Sequence, residues 1–477
     1  GGYDFFVDWG DGNRDNITGY NQSEVTHQYS STGIYDIKIH GDITGWRFNG
    51  AGDDDKITEI SKWGPLRFVS NDDDLFEGCS NLDVTATDSL TLGASNGHGM
   101  FEGCHKLGDQ GNMNSWNISA CTDMHRMFNG ATGFNQPIGD WDTSSVTNMS
   151  LMFEAYEGGA TFNQDIGNWD VSSVTNFSRF MGSINTNVGP QAFNNGGSSS
   201  ISGWNTSSVT NMSYMFSNCT AFNQPIGTWD TSSVTNMYRM LFNCDVFNQD
   251  IGGWNTSSVT NMESMIRNCT VFDQDLGSWD VSSVTNMHRL FQATSFNNGG
   301  SPGISGWDTS SCTRMDQMFN GATGFNQPIG DWDTSSVTNM SLMFEAYEGG
   351  ATFNQDIGNW DVSSVTNFSR FMGSINTNVG PQAFNNGGSS SISGWNTSSV
   401  TNMSYMFSNC TAFNQPIGTW DTSSVTNMYR MLQNCDAFDQ DLSNWNVSNI
   451  TNADGFMNGA NGLSTTNYDR TLSGWSS

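Results

Sequence analysis

Basic residues are scarce in this sequence of 477 residues. Lysine and arginine together number 16, against 47 aspartate and glutamate residues, which gives a formal net charge of −31. Binding to a nucleic-acid backbone or to an anionic membrane surface requires a basic face. The sequence also lacks the run of about 18 apolar residues that a membrane-spanning helix needs. The composition therefore predicts neither nucleic-acid binding nor membrane insertion.

Catalytic signatures are missing as well. The motifs H-E-x-x-H, G-x-S-x-G and G-x-x-x-x-G-K-[ST] do not occur, and none of the six histidines stands in a recognisable nucleophile motif. The many carboxylates lie in repeated positions and not in one special pair. We therefore predict that the protein is not an enzyme, with no catalytic residues and no organic cofactor.

The main feature of the sequence is a repeat of nearly constant length. Tryptophan recurs mostly every 25 residues, with some steps of 28 or 35, in the unit F-N-Q-[P/D]-I-G-x-W-[D/N]-[T/V]-S-S-V-T-N-M-x-x-M-F. Residues 127–241 are identical to residues 318–432 at an offset of 191, which indicates a duplicated block. Fixed periods of this length are typical of repeat proteins.

A 25-residue unit cannot bury its own apolar face, whereas stacked copies can, so the period predicts a solenoid. We expect each copy to add a strand, over I-G-x-W-[D/N], to a parallel sheet. The M-x-x-M spacing predicts a short helix or 3-10 turn, with the preceding T-S-S run as its N-cap. In one copy, the residues expected to face inward are Phe222, Ile226, Trp229, Val234, Met237, Met240 and Leu241.

The stretch Trp229–Met237 reads W-D-T-S-S-V-T-N-M. With its counterparts it resembles the BspA-like leucine-rich-repeat family of bacterial surface proteins, with Trp, Met and Phe at slots where ordinary leucine-rich repeats place Leu. The resemblance covers about residues 65–477. It implies a leucine-rich-repeat-like α/β solenoid in a secreted or surface-attached protein that acts in adhesion.

The N-terminal segment differs from the repeats. It contains F-F-V-D-W-G-D-G from Phe5, T-H-Q-Y from Thr26 and G-I-Y-D-I-K-I from Gly33. These motifs are similar to those of PKD domains, which implies a small all-β domain over residues 1–52 and an extracellular setting. Only the later strands of such a domain are present, so we expect further chain before Gly1. Residues 53–64 are expected to form the junction with the repeats.

Dense groups of aspartates suggest a metal site, because oxygen-rich clusters suit Ca²⁺. The alternative is a set of solvated acidic loops. The candidate ligands are Asp8, Asp11, Asp53, Asp54, Asp55, Asp72, Asp73 and Asp74.

Three recurring slots have structural interpretations. Seven of the nine cysteines share one slot that holds Ala in other copies, which favours buried thiols over disulfides. Asp and Asn exchange after each Trp, which favours a turn over a metal ligand. The Trp column suits a packed core, although an indole face also packs well on sugars. The better binding candidates are the insertions at 154–160, 182–202, 296–306, 345–351 and 373–393.

Three functions stay open at this point. The first is an extracellular or surface-exposed adhesion module, on a cell surface or a virion fibre, that binds a host or matrix protein or a glycan. The second is a self-assembling structural protein, such as a filament or surface-layer subunit. The third is an enzyme built on a repeat scaffold.

Overall fold

The computed structural model describes residues 4–19, 21–42, 47–48, 50–68, 73–94, 97–155, 158–184, 189–346, 350–375 and 380–476. The chain divides into two compact units, Gly1–Ser200 and Ile201–Ser477. The division falls inside the region of the repeats.

The first unit begins with a small antiparallel sheet of strand order β2-β1-β3. Its strands are β1 (Asp4–Asp8), β2 (Arg14–Ile17) and β3 (Lys38–Asp42). Alternate residues of β1 are buried, and Phe5 and Val7 pack with Ile17 of β2 and the partly buried Trp9. The alternation of buried and exposed residues is that of a strand with one covered face.

The other regular elements are short. Strands β4 (Glu59–Ile60) and β6 (Asp83–Val84) pair in parallel, as do β5 (Arg67–Phe68) and β7 (Thr91–Leu92). One α-helix occurs in the described residues, α1 (Thr465–Trp475). The 3-10 segments are Ser23–Val25, Asp54–Lys56, Met113–Ser115, Asn195–Gly197, Ser199–Gly203, Asn298–Gly300, Pro302–Gly306, Asn386–Gly388, Ser391–Gly394 and Ile417–Thr419.

Neighbouring repeats are joined along the T-N-M-x-x-M-F segment. Isolated parallel bridges link its Asn residues, as from Asn236 to Asn261, and the amide of Met237 donates to the Asn261 carbonyl at 3.0 Å. The predicted strand over I-G-x-W-[D/N] is therefore wrong. The Trp229 amide donates to the Ile226 carbonyl of its own repeat at 3.2 Å, which closes a local turn and leaves that amide unavailable to a ladder.

Of the short helix or 3-10 turn predicted at M-x-x-M, the helix is wrong. Met240 donates to the Met237 carbonyl, but Arg239 between them has a φ of 53°, and a right-handed helix cannot pass through a left-handed residue. The segment is a single hydrogen-bonded turn. The expected N-cap has another role, since the Thr231 hydroxyl donates to the Asn255 carbonyl of the next repeat at 2.9 Å.

The core of each unit consists of columns of equivalent side chains. All seven predicted inward residues of the 222–241 copy are buried, which confirms that set. In the second unit, neighbouring phenylalanine rings lie 5.9–6.2 Å apart along one column. That column is Phe222, Phe247, Phe272, Phe296, Phe325, Phe353, Phe384, Phe413 and Phe438. The packed-core interpretation of the tryptophans is confirmed as well, as for Trp279, which is 3% exposed.

Helix α1 covers the last repeat. Its Thr471 hydroxyl accepts the Leu442 amide at 3.1 Å, and its Trp475 indole donates to the Leu442 carbonyl at 2.9 Å. The helix thus satisfies backbone groups that a further repeat would otherwise bond. The described helices include none long and apolar enough to cross a membrane.

Candidate functional site

One group of potential metal ligands in the described residues is close enough together to hold an ion. It consists of Asp73, Asp74 and His98, whose potential ligand atoms all lie within 4.8 Å of one another. The Asp74 amide donates to the His98 carbonyl at 3.0 Å, so the contact between neighbouring repeats sets this register. All three residues are partly exposed, and Asp73 also pairs with Arg47 at 3.2 Å.

This donor set differs from the predicted one. Ca²⁺ takes six to eight oxygen ligands, whereas the cluster offers two carboxylates and an imidazole nitrogen, which suits transition metals better. Sequence reasoning missed His98. The signal available was its position 24 residues after Asp74, close to one repeat length.

Two of the other predicted ligands stabilise the W-G-D-G turn. Asp8 accepts the Gly10 amide and pairs with Arg14 at 2.9 Å, while Asp11 accepts the Asn13 amide and bonds His27 at 2.8 Å. In each case the backbone hydrogen bond is the main reason that the pKa of the carboxyl is lowered. Both carboxylates already have local partners.

The Asp53–Asp55 run is not brought together with this cluster among the described residues. Asp54 and Asp55 open a 3-10 turn, and Asp53 pairs with Lys56. Asp72 lies outside the described residues. Calcium binding by these aspartates stays a prediction.

The Asp or Asn after each Trp forms a turn, as predicted. Asp230 accepts the Ser232 amide at 2.9 Å, and Asn255 accepts the Ser257 amide at 3.1 Å in the same way. Hydrogen bonds from Ser232 lower the pKa of Asp230. Since acid and amide make the same contact, the slot needs an oxygen and not a charge.

The cysteines are buried and unbridged, in agreement with the thiol interpretation. The Cys244 thiol donates to the Phe216 carbonyl at 3.2 Å. Burial raises the pKa of Cys121 and of Cys312 to about 11. Such thiols are poor nucleophiles, because the reactive species is the thiolate.

Glu345 is a buried carboxylate beside one of the insertions. It is 2% exposed, accepts a hydrogen bond from Asn320 at 3.2 Å and lies 3.9 Å from the Arg370 guanidinium. Burial raises its pKa, and the arginine offsets part of that effect.

Four of the five predicted binding insertions lie partly outside the described residues. The parts concerned are residues 156–157, 185–188, 347–349 and 376–379.

Comparison with known proteins places the repeats in a family. No curated protein and no solved structure matches the chain. A family described as "Mycoplasma protein of unknown function, DUF285" matches residues 95–196, 190–301, 299–386 and 380–475 in tandem. Because these matches extend over most of the sequence, the chain is a repeat protein that belongs to the DUF285 family.

Proposed function

We propose that the chain is an extracellular or surface-exposed binding module, on a cell surface or a virion, that attaches to a host or matrix protein or a glycan. The observation that carries this proposal is the regular display of polar side chains along each unit. Thr235, Thr260 and Thr285 are all exposed, and each hydroxyl donates at 3.2 Å to the threonine carbonyl of the preceding repeat. Extended repetitive surfaces are what repeat proteins use for binding.

The finer fold assignment belongs to this proposal. Each unit is a solenoid of the BspA-like leucine-rich-repeat kind, and residues 1–52 form part of a PKD-like domain. The shared Phe and Trp columns support the first point, because neighbouring copies within a unit bury their apolar faces against each other. The contact of His27 with Trp9 and Tyr29 beside the W-G-D-G turn supports the second.

Retention of coated beads tests the binding function. Beads that carry the purified chain are passed over cultured cells, immobilised matrix proteins and a glycan array, with albumin-coated beads as the control. We expect retention on at least one surface. Equal retention of both kinds of bead on every surface would contradict the proposal.

Self-assembly into a filament or surface layer is the second candidate, favoured by the identical blocks 127–241 and 318–432, which lengthen the array without adding a new site. Size-exclusion chromatography with light scattering separates the two. A monomer at micromolar concentration excludes assembly, whereas a concentration-dependent oligomer favours it.

Calcium binding is tested on the same preparation. If the aspartates hold Ca²⁺, removal with EDTA lowers the melting temperature and added Ca²⁺ restores it. An unchanged melting temperature after chelation would show that the acidic groups are solvated loops. The melting temperatures of the wild-type chain and of His98→Ala after addition of Zn²⁺ show whether the histidine-containing cluster binds a transition metal instead.

A further inference from the structure

Between residues 107 and 469, the lysine and arginine side chains are confined to one segment of the repeat unit. Residues 107–469 contain eight arginines and no lysine, and every one falls within the T-N-M-x-x-M-F-x-N stretch. These are Arg126, Arg179, Arg239, Arg267, Arg289, Arg314, Arg370 and Arg430. In a chain with a net charge of −31, this segment is where an anionic partner would meet the least repulsion.

Four of these arginines stand on four consecutive repeats of the second unit, at 239, 267, 289 and 314. The repeats are bonded directly there: the Arg239 amide donates to the Glu263 carbonyl at 3.0 Å, and the Arg289 amide donates to the Asp316 carbonyl at 3.2 Å. Repeats joined in this way lie about 5 Å apart. The guanidinium groups therefore follow one another along the stacking direction and do not converge on a point.

Aromatic rings hold the first two guanidinium groups of this row. The Arg239 guanidinium carbon lies 5.6 Å from the ring centre of Tyr214, 5.3 Å from that of Tyr238 and 5.1 Å from that of Phe242. Arg267 lies 5.2 Å from Phe242 on the side of the next repeat. Such contacts restrain a long side chain, so less entropy is lost when it binds a ligand.

Arg239 and Arg289 differ in their balance of charge from other arginines of the repeats, including Arg314 of the same row, which pairs with Asp316 at 3.3 Å and with Glu263 at 3.7 Å. Arg126 faces Glu102 at 3.8 Å, and Arg370 faces Glu345 at 3.9 Å. Within the part of the chain that the structure describes, Arg239 and Arg289 have no carboxylate oxygen within 4.0 Å. The Arg289 Nε bonds the neutral side chain of Gln317 at 3.0 Å. Their positive charge is not neutralised inside the protein.

We propose that Tyr214, Tyr238, Arg239, Arg267 and Arg289, here called the arginine–tyrosine patch, bind an anionic polysaccharide bearing sulfate or carboxylate groups. This inference rests on the proposed binding function and names the ligand class. Guanidinium groups bind such oxyanions through paired N–H donors. A row of charges one repeat apart fits a linear polymer better than a small anion. The neighbouring exposed hydroxyls of Thr235, Thr260 and Thr285 offer partners for sugar hydroxyls.

The duplicated block supplies a natural comparison. It repeats three residues of the patch as Tyr405, Tyr429 and Arg430, and the Arg430 guanidinium carbon lies 5.0 Å from the ring centre of Tyr429. Beyond the end of the identical block, at the same offset, Gln433 stands in place of Phe242 and Asn458 in place of Arg267. With Asn458 in place of Arg267, the copy is expected to bind the same ligand more weakly.

Dextran sulfate and uncharged dextran of equal length serve as probes, because they share a backbone and differ in charge. Binding of the full chain is measured by calorimetry at 50 and 150 mM NaCl. We expect dextran sulfate to bind, less tightly at the higher salt concentration, and dextran not to bind. The variant R239Q/R267Q/R289Q should lose at least tenfold in affinity, and R430Q should lose less.

The matched control K38Q/K62Q/R470Q removes three exposed cations elsewhere and should change the affinity by less than twofold. Thermal unfolding of each variant establishes that it is folded. The patch is wrong if the triple arginine variant binds as tightly as the wild type, or if the wild type does not bind dextran sulfate at 50 mM NaCl. It is also wrong if the patch substitutions abolish oligomers of the chain and leave dextran sulfate binding unchanged, since the occupant would then be a second copy.

The bead assay separates this inference from the proposed function. If beads coated with the triple arginine variant are retained as well as wild-type beads, the proposed role of the patch is wrong and the binding function still stands. If wild-type beads are retained on no surface, the binding function fails whatever the dextran sulfate result.

Discussion

The indole nitrogen of Trp279 donates a hydrogen bond to the carbonyl oxygen of Ile251, 3.0 Å away in the preceding repeat. The same bond joins Trp254 to Ile226. The indole thus fills the core and satisfies a backbone carbonyl that would otherwise be buried without a partner. This relationship explains why tryptophan, and not leucine, occupies the slot.

Trp279→Phe keeps a ring in the stack and removes the donor. Leaving the Ile251 carbonyl buried and unsatisfied should cost about 1–3 kcal/mol, seen as a lower urea midpoint of the unfolding step that includes this repeat. Trp475→Phe is the control, because it removes the same kind of indole donor from a side chain that is only partly buried. Equal midpoints for the two variants would show that the indole bond does not contribute to stability.

Asp230 tests the turn after the tryptophan. Asp230→Asn should leave stability at pH 7 nearly unchanged, because Asn205 and Asn255 make the same contact in neighbouring repeats. Asp230→Ala loses the acceptor and should cost about 0.5–1.5 kcal/mol. Thermal melts at pH 7 give both values. An Asn variant as unstable as the Ala variant would mean that the slot requires charge.

The pH dependence of the same position has a definite sign. The pKa of Asp230 is lowered below its usual 3.8 by hydrogen bonds from Ser232. The ionised form therefore stabilises the folded state above pH 3.8, and this contribution is lost as the pH falls through the lowered value. Between pH 5 and pH 2 the wild type should lose more stability than Asp230→Asn. The melting temperatures of the two proteins across this range measure the difference.

The period and the identity of the core could be predicted from the sequence, because slots such as those of Phe222 and Trp229 recur at a fixed offset. The path of the backbone could not be predicted from the sequence. Its decisive feature is a left-handed residue within M-x-x-M, which is Arg239 in one repeat and Leu342 in another, with φ of 53° and 57°. Neither residue type signals that conformation, since the conformation is imposed by hydrogen bonds between repeats.

The candidate site was only partly visible for a related reason. Asp73 and Asp74 attract notice because they are adjacent in the sequence. His98 joins them only through the register between neighbouring repeats, and the sequence does not fix which residues that register brings together. The arginines on consecutive repeats, such as Arg239 and Arg267, become a row for the same reason.

Glu345 tests whether the cost of burying a charge exceeds the gain from its contact with Arg370. Burial raises its pKa above the usual 4.5, so the folded state holds the proton more tightly than the unfolded chain does. The carboxylate therefore reduces stability at neutral pH, and this cost disappears as the pH falls through the raised value toward 4.5. Glu345→Gln should melt at a higher temperature at pH 7 and not below pH 4.5.

The exposed Glu24 supplies the control, since Glu24→Gln should melt like the wild type at both pH values. A lower melting temperature of Glu345→Gln at pH 7 would show that the charge contact with Arg370 outweighs the cost of burial.

The buried thiols make a prediction about reactivity. In the folded protein at pH 8, iodoacetamide should modify none of the nine cysteines, because all are buried and burial raises the pKa even of Cys121 and Cys312 to about 11. In denaturant all nine should react, as counted by intact-mass spectrometry. Rapid alkylation of Cys244 or Cys269 in the native protein would show that neighbouring repeats separate in solution. Such opening would break the hydrogen bond from the Cys244 thiol to the Phe216 carbonyl. If that bond helps to hold the two repeats together, Cys244→Ala should open faster than the wild type. An unchanged opening rate would show that it does not.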